Sequence, residues 1–78
     1  MLKVEDRVLT NAIDVMDKYH DKFVVFERAD DDDFMQPGYV LFICDSYVEA
    51  GDVRVDTQKL HPNLRIKVVP GEDWWAVL

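Results

Sequence analysis

Near Lys22 the hydrophobic pattern of this chain changes period, from three-and-four to two, and that change points to its class of fold. Across residues 5–20, Val8, Leu9, Ala12, Ile13, Val15, Met16 and Tyr19 recur at the spacing that gathers side chains on one stripe of an amphipathic helix. Glu5 and Asp6 fall in the first turn, and Lys18, His20 and Lys22 at or just past the last, a polarity that complements the helix dipole. Asp14 and Lys18 add an i,i+4 pair in the favourable order.

Residues 22–28 then read as a strand rich in aromatic and β-branched side chains. Residues 29–38 form a long loop with four successive aspartates and a Pro37-Gly38 turn. The run 39–44 is apolar on both faces, as a central strand covered on both sides is. Asp45-Ser46 reads as a turn into a strand over 47–50, and Gly51-Asp52 as a bend before a strand over 53–55. Residues 56–61 fit one helical turn closed by Pro62. Leu64, Ile66 and Val68 alternate with Arg65 and Lys67, the pattern of a half-buried strand, and after a turn at 70–73 the last strand is expected over 74–78. The expected fold is therefore α+β: one N-terminal amphipathic helix packed on a small antiparallel sheet of about five strands.

Seventy-eight residues suffice for one domain, here 1–78, with a small core. A core of this size typically yields only about 3–5 kcal/mol of net stability. A deep catalytic cavity would forfeit much of that, so the chain is expected to work through its surface. Cys44 is the sole cysteine, which excludes an internal disulfide and a zinc-type cysteine framework. No stretch approaches the roughly 20 apolar residues of a membrane span, and residues 1–7 lack a signal-peptide core, so a cytoplasmic protein is expected, in a bacterial or phage-infected cell on the reading below.

Charge narrows the partner. The chain carries 16 acids and 9 bases, a net of −7. Between Glu27 and Asp56 lie nine acids (Glu27, Asp30, Asp31, Asp32, Asp33, Asp45, Glu49, Asp52 and Asp56) against Arg28 and Arg54, so this stretch holds the entire excess. Direct binding to nucleic acid or an anionic membrane is disfavoured, because phosphate affinity rests on Lys and Arg. A basic partner protein is favoured.

Candidate catalytic groups fail on chemistry. Counted from Asp30, the sixth position of an EF-hand would be Met35 and the twelfth Leu41, where glycine and glutamate are required. Cys44 follows Ile43 in an apolar run and precedes Asp45, the opposite of a setting that makes thiolate. His20 and His61 have no Ser or Cys at a motif spacing, and three glycines build no phosphate loop. No cofactor, metal or catalytic residue is assigned, and the chain is not expected to be an enzyme.

Phe34 and Met35 directly follow the aspartates, and such side chains in a polar loop pack inward or onto a partner. Trp74 and Trp75, adjacent in an expected strand, point to opposite faces, so one needs cover outside the core. The expected docking set is Glu27, Asp30, Asp31, Asp32, Asp33, Phe34, Met35, Asp45, Glu49, Asp52 and Trp75. Alternate strand residues lie about 6.6 Å apart, near the phosphate repeat of a nucleic-acid strand. Asp14, Asp17 and Asp21 also share one outer helix face. The leading expectation is an inhibitor that occupies the nucleic-acid site of a basic partner, as phage anti-restriction and anti-CRISPR proteins do, by analogy of class. The alternative is a protein–protein adaptor, immunity-type or assembly subunit, anchored by the exposed Trp and the acidic-aromatic loop.

Overall fold

The computed structural model describes residues 1–29 and 37–77. Along them run β1 (Leu2–Lys3), α1 (Ala12–Lys18), β2 (Phe23–Arg28), β3 (Gly38–Cys44), α2 (Tyr47–Leu60), β4 (Ile66–Pro70) and α3 (Trp74–Val77). The strands form one sheet in the order β1-β3-β2-β4, with every neighbouring pair antiparallel. Since β3 and β4 both oppose β2, they run parallel to each other. Helix α2 carries the chain between them across β2, a split β-α-β arrangement.

All four residues from Phe23 to Phe26 are buried, because the sheet is covered on both faces. On one face Val24 and Phe26 meet Val69 and the α1 residues Ala12 and Val15. On the other, Phe23 and Val25 meet Cys44, Ile66 and Ala50 of α2. Burying a Phe or Val side chain contributes roughly 1.5–3 kcal/mol, so these two small clusters carry the fold. Val25 pairs with Phe42 while Phe26 pairs with Val40, which leaves Leu41 as the extra residue of a β-bulge. The bulge turns both Leu41 and Phe42 toward the α2 side.

The α+β class and the antiparallel sheet agree with the sequence reading; the arrangement of elements differs. Residues 5–9 are not helical. Asn11 ends the extended segment by accepting the Ile13 N–H at 2.9 Å, so α1 begins at Ala12. Leu2 and Lys3 instead pair with Ile43 and Phe42, and Thr10 bridges Gly38. The strands expected over 47–50 and 53–55 are one 14-residue helix, α2, which absorbs the helical turn expected over 56–61. Ser46 caps it by accepting the Glu49 N–H at 3.1 Å, and its chain ends at a His61 cap before Pro62. The strand expected over 64–68 begins at Ile66 and runs to Pro70. The strand expected over 74–78 is replaced by the short helix α3. Four strands and three helices on the described residues thus stand where one helix and about five strands were expected.

Candidate functional site

Of the expected docking residues, Asp30, Asp31, Asp32, Asp33, Phe34 and Met35 lie outside the described residues. The structure disperses the others. Glu27 is buried on the α2 side of the sheet, and Arg7 holds both its oxygens, Nη1–Oε1 at 3.0 Å and Nη2–Oε2 at 2.8 Å. Asp45 pairs with Lys22 at 2.6 Å, which holds its carboxyl below, and the Lys22 ammonium above, their ordinary ranges. Glu49 lies 3.0 Å from the amino group of Met1, whose pKa it raises by hydrogen bonding and charge. Asp52 and Asp56 stand exposed, one turn apart on α2. Three of the five described acids of the middle stretch therefore have cationic partners. The pairs join positions up to 48 residues apart, beyond the reach of any local pattern.

The aromatic residues converge more closely. Capped at Ser46, the first turn of α2 places the Tyr47 ring edge-on to Phe23, with centroids 5.8 Å apart and planes at 82°. Opposite them, residues 71–73 are fastened to the end of α1 and the turn after it. The Gly71 N–H donates to Lys22 O at 2.8 Å, Glu72 N–H to Met16 O at 3.0 Å and Asp73 N–H to His20 O at 2.7 Å. His20 Nδ1 also lies 3.0 Å from Asp73 Oδ2. Trp74 N–H then donates to Gly71 O and opens α3 beside Pro70.

Phe23, Tyr47, Pro70 and Trp74 so enclose an open, almost wholly apolar pocket of about 350 Å³. Tyr47 is 57% exposed, Trp74 41% and the adjoining Trp75 70%. Both tryptophans are accessible because α3 is a helix; the alternation argument rested on a strand that does not form. Within two positions of a lining residue lie five acids, Asp21, Asp45, Glu49, Glu72 and Asp73, and one base, Lys22. Such a pocket suits a side chain with an aliphatic stem and a cationic head. Phe23, Tyr47, Pro70 and Trp74 were not singled out as a set by sequence. The signal that could have found Tyr47 is the Ser46-x-x-Glu49 spacing of a helix start.

A second concavity, about 340 Å³, lies on the α2 side of the sheet where the helix ends. Its lining includes Leu41, Phe42 and Leu64, with Lys3, Arg7 and His61 among its polar members. Arg7 also stacks on the Tyr39 ring, its guanidinium carbon 4.1 Å from the centroid. Cys44 is buried beneath α2, and burial above all, then the nearby Glu49, pushes its thiol up to about 11. Among the described residues no group of three His, Cys, Asp or Glu side chains is placed to hold a metal ion, and no helix is long and apolar enough to cross a membrane. The chain matches no known family model, and comparison with curated proteins and with solved structures finds no match.

Proposed function

We propose that this chain is a non-catalytic binding protein that docks a basic protein partner through the aromatic pocket and the adjoining Trp75. The observation that carries the reading is the pocket itself. Trp74 and Tyr47 are accessible in one concave, apolar site, with Trp75 exposed beside Trp74 in the chain. Five acids lie within two sequence positions of its lining, of which Asp45, Glu49 and Asp73 are paired with Lys22, the Met1 amino group and His20. Exposed aromatics grouped in this way are the usual anchors of protein interfaces, and the net charge of −7 selects basic partners from a distance. The occupant that fits is a Lys or Arg side chain of the partner, its stem against the rings and its charge toward the acids.

A titration of the full chain with a lysine- and arginine-rich peptide, followed by tryptophan fluorescence, tests this. Saturable binding that weakens with salt and is lost in Trp74→Ala supports it. Absence of binding, or equal binding of a glutamate-rich peptide, overturns it. The narrower form is that the partner's basic surface is one that holds nucleic acid, which this chain then blocks. Asp52 and Asp56, exposed on successive turns of α2, favour that form. In that case a basic DNA- or RNA-binding protein releases a labelled oligonucleotide when this chain is added, and Asp52→Asn with Asp56→Asn impairs the release. An adaptor leaves the oligonucleotide bound.

A further inference from the structure

We propose that the cavity at the C-terminal end of α2 is a site for a small amphipathic anion, an acidic headgroup carried on a short apolar body. It shares no lining residue with the aromatic pocket and stands independently of the docking proposed there. The site is assembled from distant parts of the chain. The bulge at Leu41 turns two successive β3 side chains, Leu41 and Phe42, toward it. The wall formed by the 61–64 turn is held in place by Gln58, whose Nε2 donates to His61 O at 3.1 Å and to Leu64 O at 2.7 Å. Val4, whose N–H donates to Leu41 O at 2.9 Å, brings the N-terminal segment across the remaining side. Leu60 lines the mouth while 77% exposed, an apolar lip that a ligand body would cover.

The polar groups decide the sign of the ligand. Three basic side chains line the cavity, Lys3, Arg7 and His61, and one acid, Glu27. Both Glu27 oxygens accept from Arg7, so the carboxylate has no charge left to offer a cation. Arg7 retains further N–H donors beyond the two that it gives to Glu27, and its stacking on Tyr39 fixes the plane in which they point. Lys3 makes no ion pair among the described residues. In a chain of net charge −7, this cavity thus sets on its rim Lys3, unpaired among the described residues, with the remaining Arg7 donors and the His61 imidazole, over an apolar floor. A bare inorganic anion would leave the floor wet, and a neutral hydrocarbon would leave Lys3 and the Arg7 donors unused. An aliphatic carboxylate uses both, and the volume lies at the lower end of the range for small-molecule sites.

Octanoate is the probe, titrated into the full chain labelled with ¹⁵N and followed by amide chemical shifts. Saturable shifts confined to residues 3–7, 41–42 and 57–64 are expected. Octanol and octyltrimethylammonium are expected to bind at least about tenfold more weakly, since each lacks the headgroup that the rim recognises. Arg7 is left intact, because its loss would disturb Glu27; instead Lys3→Glu combined with His61→Glu, both at exposed positions, reverses the rim. This variant is expected to keep its amide dispersion and lose octanoate binding by about tenfold or more. Unsaturable shifts, shifts centred on Tyr47 and Trp74, equal binding of the ammonium analogue, or undiminished binding to a folded charge-reversed variant would each overturn the assignment.

Discussion

Replacing Gly71 by alanine should cost this protein most of its stability, whereas the same replacement at Gly51 should add to it. A Cβ at Gly71 would stand 2.1 Å from Tyr19 O, 2.4 Å from His20 O and 2.5 Å from His20 C, all backbone atoms at the end of α1. No flexible side-chain tip is there to give way, so the backbones must separate by about 1 Å. Overpacking of this kind costs roughly 1–3 kcal/mol. The separation also strains the three hydrogen bonds from Gly71, Glu72 and Asp73 to Lys22, Met16 and His20, each contributing about 0.5–1.5 kcal/mol. A loss of about 2–4 kcal/mol follows, comparable with the about 3–5 kcal/mol that a core of this size supplies. At Gly51, inside α2, a Cβ meets nothing within 4 Å. Only the helix preference of alanine over glycine then acts, and it favours the variant by about 0.5–1 kcal/mol. Urea unfolding monitored by far-UV circular dichroism measures both changes. In thermal melts each kcal/mol should appear as roughly 4–8 °C. A Gly71→Ala protein as stable as the parent, or a Gly51→Ala protein less stable than it, would refute the packing argument.

Two further outcomes follow from buried groups. Because burial raises the Cys44 thiol to about 11 from an ordinary 9.0, the stabilising contribution of the neutral thiol is complete below pH 9 and is lost as pH rises through 11. The span corresponds to roughly 2–3 kcal/mol, and urea midpoints at pH 8 and pH 10.5 should differ less in Cys44→Ala than in the parent; an equal pH slope in the two proteins would contradict the assignment. Arg7→Ala strands the Glu27 carboxylate in the sheet and should lower the urea midpoint. The double change Arg7→Ala with Glu27→Leu should recover about half or more of that loss, since removing both partners of a buried pair is far milder than removing one; additive losses in the double-mutant cycle would show the pair to be uncoupled.

The parts of the fold that were legible in sequence are those whose own composition decides them. Phe23–Arg28 forms a strand where its aromatic and β-branched content puts it, and Gly38–Cys44 one where the apolar run 39–44 does, extended back by Gly38 from the expected turn. The parts that were misread share one cause: a local preference overruled by a cap or by distant pairing. Val48, Val53 and Val55 favour strands, yet Ser46 caps a helix through all three, and the stripe that α2 buries is narrow because Val48 faces solvent. Val8 and Leu9 continue the helical spacing of Ala12 and Val15, but Thr10 bridges Gly38 and holds that segment extended. The Gly38 Cβ position lies 2.1 Å from Glu27 O, so a glycine there lets the hairpin close that tightly. The expectation that one of Trp74 and Trp75 enters the core and the other needs cover fails, because both are exposed in α3. The pocket there depends on contacts between Phe23, Tyr47, Pro70 and Trp74 that no window of sequence contains.

The ion pairs reshape the charge argument without removing it. Arg7, Lys22 and the Met1 amino group neutralise Glu27, Asp45 and Glu49 at short range, but pairing within the chain leaves its net charge at −7. At distances beyond a Debye length of about 8 Å the whole distribution acts; in contact, only the groups actually at the interface do. Long-range attraction of a basic partner and short-range retention of it should therefore reside in different parts of the molecule and respond to different perturbations. Raising the salt concentration should mainly slow association, as steering is screened. Trp74→Ala should mainly speed dissociation, by about 10–30-fold if Trp74 anchors the interface as buried aromatics commonly do. Surface plasmon resonance against the arginine- and lysine-rich peptide separates the two rates. Salt acting on dissociation alone, with Trp74→Ala leaving dissociation unchanged, would mean that the aromatic pocket is not where the partner is held.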